Sequence, residues 1–215
     1  MARMTPAARR EAIVDAALAV ILEKGLSATT VRDVADRMGT SSGLIHHYFP
    51  SMDEVLAAAF DVAATADLDL TRDAIRGGGS ATEQLRLFFA SYGRADQDWS
   101  FQLWLDAWAE ASRRPAVQET SRRVNIAWQE VLRDVIERGV VTGEFTCPAP
   151  DDAAWRILSL LDGLTLQSVA HRALIDRASV IAWSLGLAEH ELGLAGVLKE
   201  GSAPSAPPDP TALAT

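Results

Sequence analysis

The sequence predicts an all-α protein of about nine helices in two domains. Three observations predict it. Apolar residues recur at three- and four-residue steps along nearly the whole chain, no stretch shows the polar–apolar alternation of a β-branched strand, and breaks of Gly, Pro, Ser and Asp interrupt the pattern at helix-length intervals. The breaks fall at Gly25, Gly39 to Ser41, Pro50, Gly77 to Ser80, Asp96 to Ser100, Arg114 and Pro115, Gly143 to Pro150, and near Asp176, with no internal repeat.

With 215 residues the chain can hold a small domain over 1–50 and a larger helical one over 51–200. A content of 48% hydrophobic and 23% charged residues is that of an ordinary globular protein and excludes a disordered or fibrous chain. Residues 201–215 differ: Pro204, Pro207, Pro208 and Pro210 stand among Ser and Ala, too little apolar surface to offset the entropy of ordering, so a disordered tail is expected.

Several function classes are disfavoured. The first turn, with Arg3, Pro6, Arg9, Arg10 and Glu11, lacks the apolar centre of a signal peptide, and no long uncharged apolar run follows; a cytoplasmic protein with no membrane partner is expected. Cys147, the single cysteine, cannot form an internal disulfide and lies far from any His or Cys that could share a metal, so neither metal nor cofactor is expected. No Ser, His and Asp arrangement, phosphate-binding Gly loop or paired His ligands appear, which points to a binding protein rather than an enzyme.

The first long helix is expected at about Pro6 to Lys24. Thr30 and Asp33 then form a capping box with Asp in place of Glu, starting a second helix at Val31 whose inward face is Val31, Val34, Ala35 and Met38 and whose end is Gly39. Ser41 can cap a third, Ser42 to Phe49, with Ile45 and Phe49 on its packing side. Two short helices joined by a tight turn behind a longer one make a helix-turn-helix, which sets its last helix in the major groove of DNA. Its outward residues are Ser42, Gly43, Leu44, His46 and His47. Gly43 permits close backbone approach, Ser42 can donate or accept, and Leu44 can meet a thymine methyl. Thr30 and Ser41, at helix starts, suit phosphates. His46 and His47 are adjacent and point about 100° apart, so they do not chelate together. Arg3, Arg9 and Arg10 either reach DNA as a flexible arm or are simply solvated.

The run Gly39 Thr40 Ser41 Ser42 Gly43 Leu44 Ile45 His46 His47 Tyr48 Phe49 resembles the hallmark of the TetR family of transcriptional regulators, and its ending is similar to that of the family's choline-responsive group. The likeness covers roughly residues 8 to 60. It implies DNA contacts at Arg32 and at the start of the third helix, which completes a candidate set of Thr30, Arg32, Thr40, Ser41, Ser42, Gly43, Leu44, His46, His47 and Tyr48. Two positions depart from the pattern: His46 replaces a phosphate-binding Tyr, and Met52 replaces a Lys. The net charge of −9 is also adverse, with residues 1–55 at −1 and the remainder at −8, so non-specific affinity for DNA should be weak.

In the larger domain Phe101, Trp104, Leu105 and Trp108 share a helical face, Trp99 lies just upstream, and Phe88, Phe89, Tyr92, Trp128 and Trp155 add further rings. Such rings either fill a core or line a pocket for an apolar or cationic small molecule. Asp162 sits in the apolar run Ile157 to Leu164, where a carboxylate needs a partner. Either it is held by structural hydrogen bonds, or it orients a cationic or hydroxylated ligand with Gln167, Thr165 or His171. The candidate effector residues are Phe88, Tyr92, Trp99, Trp104, Trp108, Trp128, Asp162 and Gln167. A helix over Asp151 to His171 is too apolar for one buried face, and the next, about Arg177 to Leu194, is similar; the pair can form a four-helix bundle with a second copy. The expected partners are thus inverted-repeat operator DNA, a small-molecule effector and a second subunit, with a fourth helix, about Met52 to Arg76, as the lever between head and pocket.

Overall fold

A computed structural model describes residues 4–93, 98–171 and 174–198; Arg3 and the 201–215 tail lie outside the described residues. Within those, nine helices and no strand are present: α1 (Pro6–Lys24), α2 (Val31–Met38), α3 (Ser42–Tyr48), α4 (Met52–Arg76), α5 (Ala81–Tyr92), α6 (Asp98–Ala111), α7 (Pro115–Thr142), α8 (Pro150–Ala170) and α9 (Arg177–Glu191). The all-α expectation holds.

The described residues of Met1–Leu70 and Gln97–Trp128 form one compact unit, and those of Thr71–Asp96 and Gln129–Thr215 another. α4 and α7 each begin in the first and end in the second.

The first unit contains the three-helix head. Thr5 caps α1 by accepting from the Ala8 N–H, with Pro6 in the first turn where its missing N–H costs nothing. α1 ends at Gly25, whose φ of +85° few other residues adopt. The expected capping box opens α2: Thr30 Oγ1 accepts from the Asp33 N–H at 3.3 Å, and the Asp33 carboxylate accepts from the Thr30 N–H at 2.9 Å. Asp33 also pairs with Lys24, and these hydrogen bonds, Lys24 foremost, hold its carboxyl down at about 2. α2 stops at Gly39 in the left-handed region, and α1 packs on α2 and α2 on α3. Ile13, Ala17, Leu26, Val34, Ile45 and Phe49 make the core of the head.

Within this unit one contact ties α6 to the head and another ties the end of α6 to α4. Asp106 on α6 accepts from the Leu26 N–H at 3.1 Å and from Gln102 Nε2 at 3.0 Å. Arg114 donates to Glu110 at 2.8 Å and also bonds Asp53 in the first turn of α4. Glu110 is buried and would be costly unpaired; Arg114, ahead of Arg113, keeps its carboxyl below the usual carboxylate range.

In the second unit α8 packs on α9 and α5 on α9. The Glu144 carboxylate caps α5 from a distance, accepting from the Ala81 N–H at 3.0 Å and the Thr82 N–H at 2.9 Å. These backbone donors hold its carboxyl at about 2, the expected effect of an anion at a helix N-terminus.

Candidate nucleic-acid interface and effector site

α3 is amphipathic in the simplest way. Ile45 and the following Phe49 are almost wholly buried, each 1% exposed, while Ser41, Gly43, His46 and His47 are exposed and Thr40, Ser42, Leu44 and Tyr48 half-buried. The polar edge therefore faces away from the head's core. Ser41 occupies the N-cap with extended backbone but makes no side-chain capping bond, contrary to the expectation that it would close the helix. Its hydroxyl and the first α3 amides are thus not consumed by a cap. Tyr48 and His47 stack edge to face at 5.1 Å.

On α2, Thr30 is occupied with the capping box, although it remains exposed. Arg32 is 86% exposed and lies 3.8 Å from Asp36, a surface pair worth a few tenths of a kcal/mol at about one helical turn and no obstacle to a stronger anion. Arg37 is committed to Glu23 at 2.7 Å. Arg10 is not part of a flexible arm either: Nη1 donates to the Tyr48 carbonyl at 2.8 Å.

The candidate effector residues fall into two groups. In the first unit Trp104 stacks edge to face on Phe60 at 4.9 Å and on Trp108 at 5.8 Å; Trp104 and Trp128 are buried, Trp108 half-buried and Trp99 exposed. Phe60, from α4, was absent from the sequence-derived set because nothing in its local pattern distinguishes it from core. In the second unit Phe88 lies 5.7 Å from the Tyr92 ring and 5.8 Å from Phe89. The Tyr92 hydroxyl donates to Asp162 Oδ1 at 3.1 Å, and Gln167 is exposed.

Asp162 retains some accessible surface, yet protein crowds its carboxyl enough for burial to push its ionisation up to about 7, against a smaller opposing pull from the Tyr92 hydrogen bond. One helical turn on, Thr165 is buried with its hydroxyl unbonded. Tyr92 at the end of α5 thus meets Asp162 of α8, with the Thr165 hydroxyl one turn further along the same helix. Between about pH 4 and 7 the folded chain holds a proton on Asp162 that the unfolded chain releases, so this residue's contribution to stability is greatest at acid pH and declines toward pH 7. Asp162→Asn is expected to remove that decline: the variant's melting temperature should gain on the parent's as pH rises from about 5 to 8. Parallel melting profiles would show an ordinary carboxyl.

Among the described residues no group of three or more His, Cys, Asp or Glu could hold a metal ion, and no helix is long and apolar enough to cross a membrane.

A tight helix pair with a boxed N-cap, a left-handed glycine turn and an outward polar edge, followed by a larger set of helices, defines a helix-turn-helix transcriptional regulator. Residues 13–59 match the family model for bacterial regulatory proteins of the tetR family, and residues 80–193 that for the C-terminal part of BetI-type transcriptional repressors. The chain belongs to the TetR family, in its BetI-type branch, as the motif ending in Phe49 had suggested. It is 32% identical to the transcriptional regulator BetI of Rhizobium meliloti (strain 1021) over 80% of this chain and 84% of that one. It is also 30% identical to the transcriptional repressor KstR2 of Mycobacterium tuberculosis (strain ATCC 25618 / H37Rv) over 61% of this chain and 68% of that protein. A transcriptional regulator from Saccharomonospora viridis, in complex with choline, has the same fold, with a TM-score of 0.75 at 22% identity, covering 85% of this chain and 96% of that one.

Proposed function

We propose that this chain is a cytoplasmic repressor that acts as a homodimer, binds an inverted-repeat operator through α3 and leaves it when a small hydrophobic or cationic effector occupies the helical domain. It works by binding, without catalysis or cofactor. The observation that carries the DNA half of this reading is the polar edge of α3, exposed while Ile45 and Phe49 seal the other side. Thr30, Arg32, Thr40 and Ser41 supply backbone anchoring, Ser42, Gly43, Leu44 and His47 face base edges, and His46 and Tyr48 flank them.

Two features support the dimer. Leu160, Leu164, Leu166 and Val169 of α8, and Ile181 and Leu187 of α9, remain half-buried in the single chain, and Trp183 is 48% exposed. A second α8 and α9 pair would cover them. The same contact would space two recognition helices for successive major grooves.

Effector binding is supported by the Asp162, Tyr92 and Phe88 group and by the choline held by the Saccharomonospora viridis neighbour. A cation beside Asp162 would favour the carboxylate and gain from the neighbouring ring faces. Trp99, Trp104, Trp108, Trp128 and Gln167 complete the candidate set. An effector shifts the dimer between two spacings of its heads only by its differential affinity for them, with α4 as lever.

Arg32→Ala tests the interface. Against a duplex selected by the wild-type protein from a random library, the variant should bind about tenfold more weakly while dimer mass and effector-induced melting shift stay unchanged. Unaltered DNA affinity would remove Arg32 from the interface.

A further inference from the structure

α3 has seven residues, too few for a helix to persist unaided in water. Its N-cap Ser41 makes no side-chain bond. Packing on α2 and the burial of Ile45 and Phe49 root the segment, and a further hold on its C-terminal end comes from α1. Arg10 Nη1 donates to the Tyr48 carbonyl at 2.8 Å, across 38 positions of sequence. The same guanidinium lies over the Phe49 ring, with its central carbon 3.8 Å from the centroid. The Tyr48 carbonyl is one of the terminal acceptors that an α-helix cannot satisfy internally, and a cation there suits the negative end of the helix. Phe49, beneath the guanidinium, is almost wholly buried and fixed in the core of the head. One planar group thus grips both the last carbonyl of α3 and the ring that roots it.

We propose that Arg10 is a positioning residue for DNA recognition, setting the rotation and depth of α3 by clamping Tyr48 and Phe49 rather than by neutralising a phosphate. The clamp needs a planar, directional group. Lysine carries the same charge as a compact ammonium and offers neither the fork nor the face. Arg10 is itself exposed, so its replacement leaves no cavity. The inference rests on the DNA-binding reading and concerns how α3 is aimed.

The test compares wild type, Arg10→Lys and Arg10→Gln by fluorescence anisotropy over a range of salt. Two probes are used: the duplex selected by the wild-type protein, and a scrambled duplex of equal length. Both variants should bind the selected duplex about tenfold or more weakly, with Lys giving no rescue. Their affinity for the scrambled duplex, and the slope of log affinity against log salt, should match wild type. Amide exchange in Arg10→Gln should quicken in α3 and not in α2. A slope shallower by about one in Arg10→Gln, or full affinity in Arg10→Lys, would mark a phosphate contact and overturn the proposal. Equal weakening on both duplexes, or unchanged exchange in α3, would also overturn it. A wild-type protein that prefers neither duplex refutes the DNA reading itself.

Discussion

Gly43→Glu is expected to abolish operator binding without harming the fold. A Cβ at Gly43 meets only Ser41 Oγ, at 3.8 Å, so the free protein has room for a side chain there. Gly43 is the second residue of α3, where a carboxylate suits the helix dipole and any side chain improves on glycine's helix propensity, together worth about 1 kcal/mol in favour of folding. On the proposed interface the same carboxylate would meet phosphates and base edges where the backbone of α3 comes close to DNA. Like-charge contact of this kind costs several kcal/mol, so affinity should fall by about a hundredfold or more. Melting temperature, dimer mass and band shift, measured together, check it. A variant that still shifts the selected duplex would mean that this edge of α3 does not face DNA, and one that melts lower would contradict the room for a side chain at Gly43.

Gly139→Ala should be strongly destabilising, although the same substitution in an exposed helix gains roughly 1 kcal/mol. Phe145 folds back over α7 so closely that a Cβ on Gly139 would overlap ring atoms Cδ2 and Cε2 and lie 2.6 Å from Cγ. The ring cannot simply swing away. Phe145 is buried, and its N–H and that of Glu144 both donate to the Gly139 carbonyl, at 3.0 and 2.8 Å. The neighbouring Glu144 is in turn the cap of α5. Displacing this corner costs overpacking and capping together, about 3 kcal/mol, or a fall in melting temperature of roughly 6 to 12 °C. Thermal denaturation followed by circular dichroism reads it directly, and an unchanged or raised midpoint would contradict the packing described.

The contrast between these glycines shows what could be read from sequence. The capping box of Thr30 and Asp33, the stop at Gly39 and the buried pair Ile45 and Phe49 are set by residues within a turn or two of one another, and all stand where the pattern placed them. Gly139 looked like any helix interior residue because Phe145 returns only once the α7 terminus has formed. Long-range contacts were silent for the same reason. Asp106 meets the Leu26 N–H from 80 positions away, and Glu144 meets Ala81 from 63. Arg114 was legible only as the residue before a proline, yet it joins α4 to the end of α6. Arg10, read as arm or solvated charge, is exposed yet also bonds the Tyr48 carbonyl and lies over the Phe49 ring. Aromatic content pointed to an effector region without showing that Trp104 and Trp108 belong to one compact unit and Phe88 and Tyr92 to the other. The isolation of Asp162 in an apolar run was a sound signal, since a carboxyl there must find a partner, but only the fold shows that partner to be Tyr92.

The most direct measurement is selection of duplexes from a random library by the wild-type protein, followed by the mass of the complex on the winning sequence. An inverted repeat, its half-sites about one helical turn or a small multiple of it apart, bound by paired chains, is the predicted result. Recovery of no enriched sequence, or of a single half-site held by one chain, would contradict it.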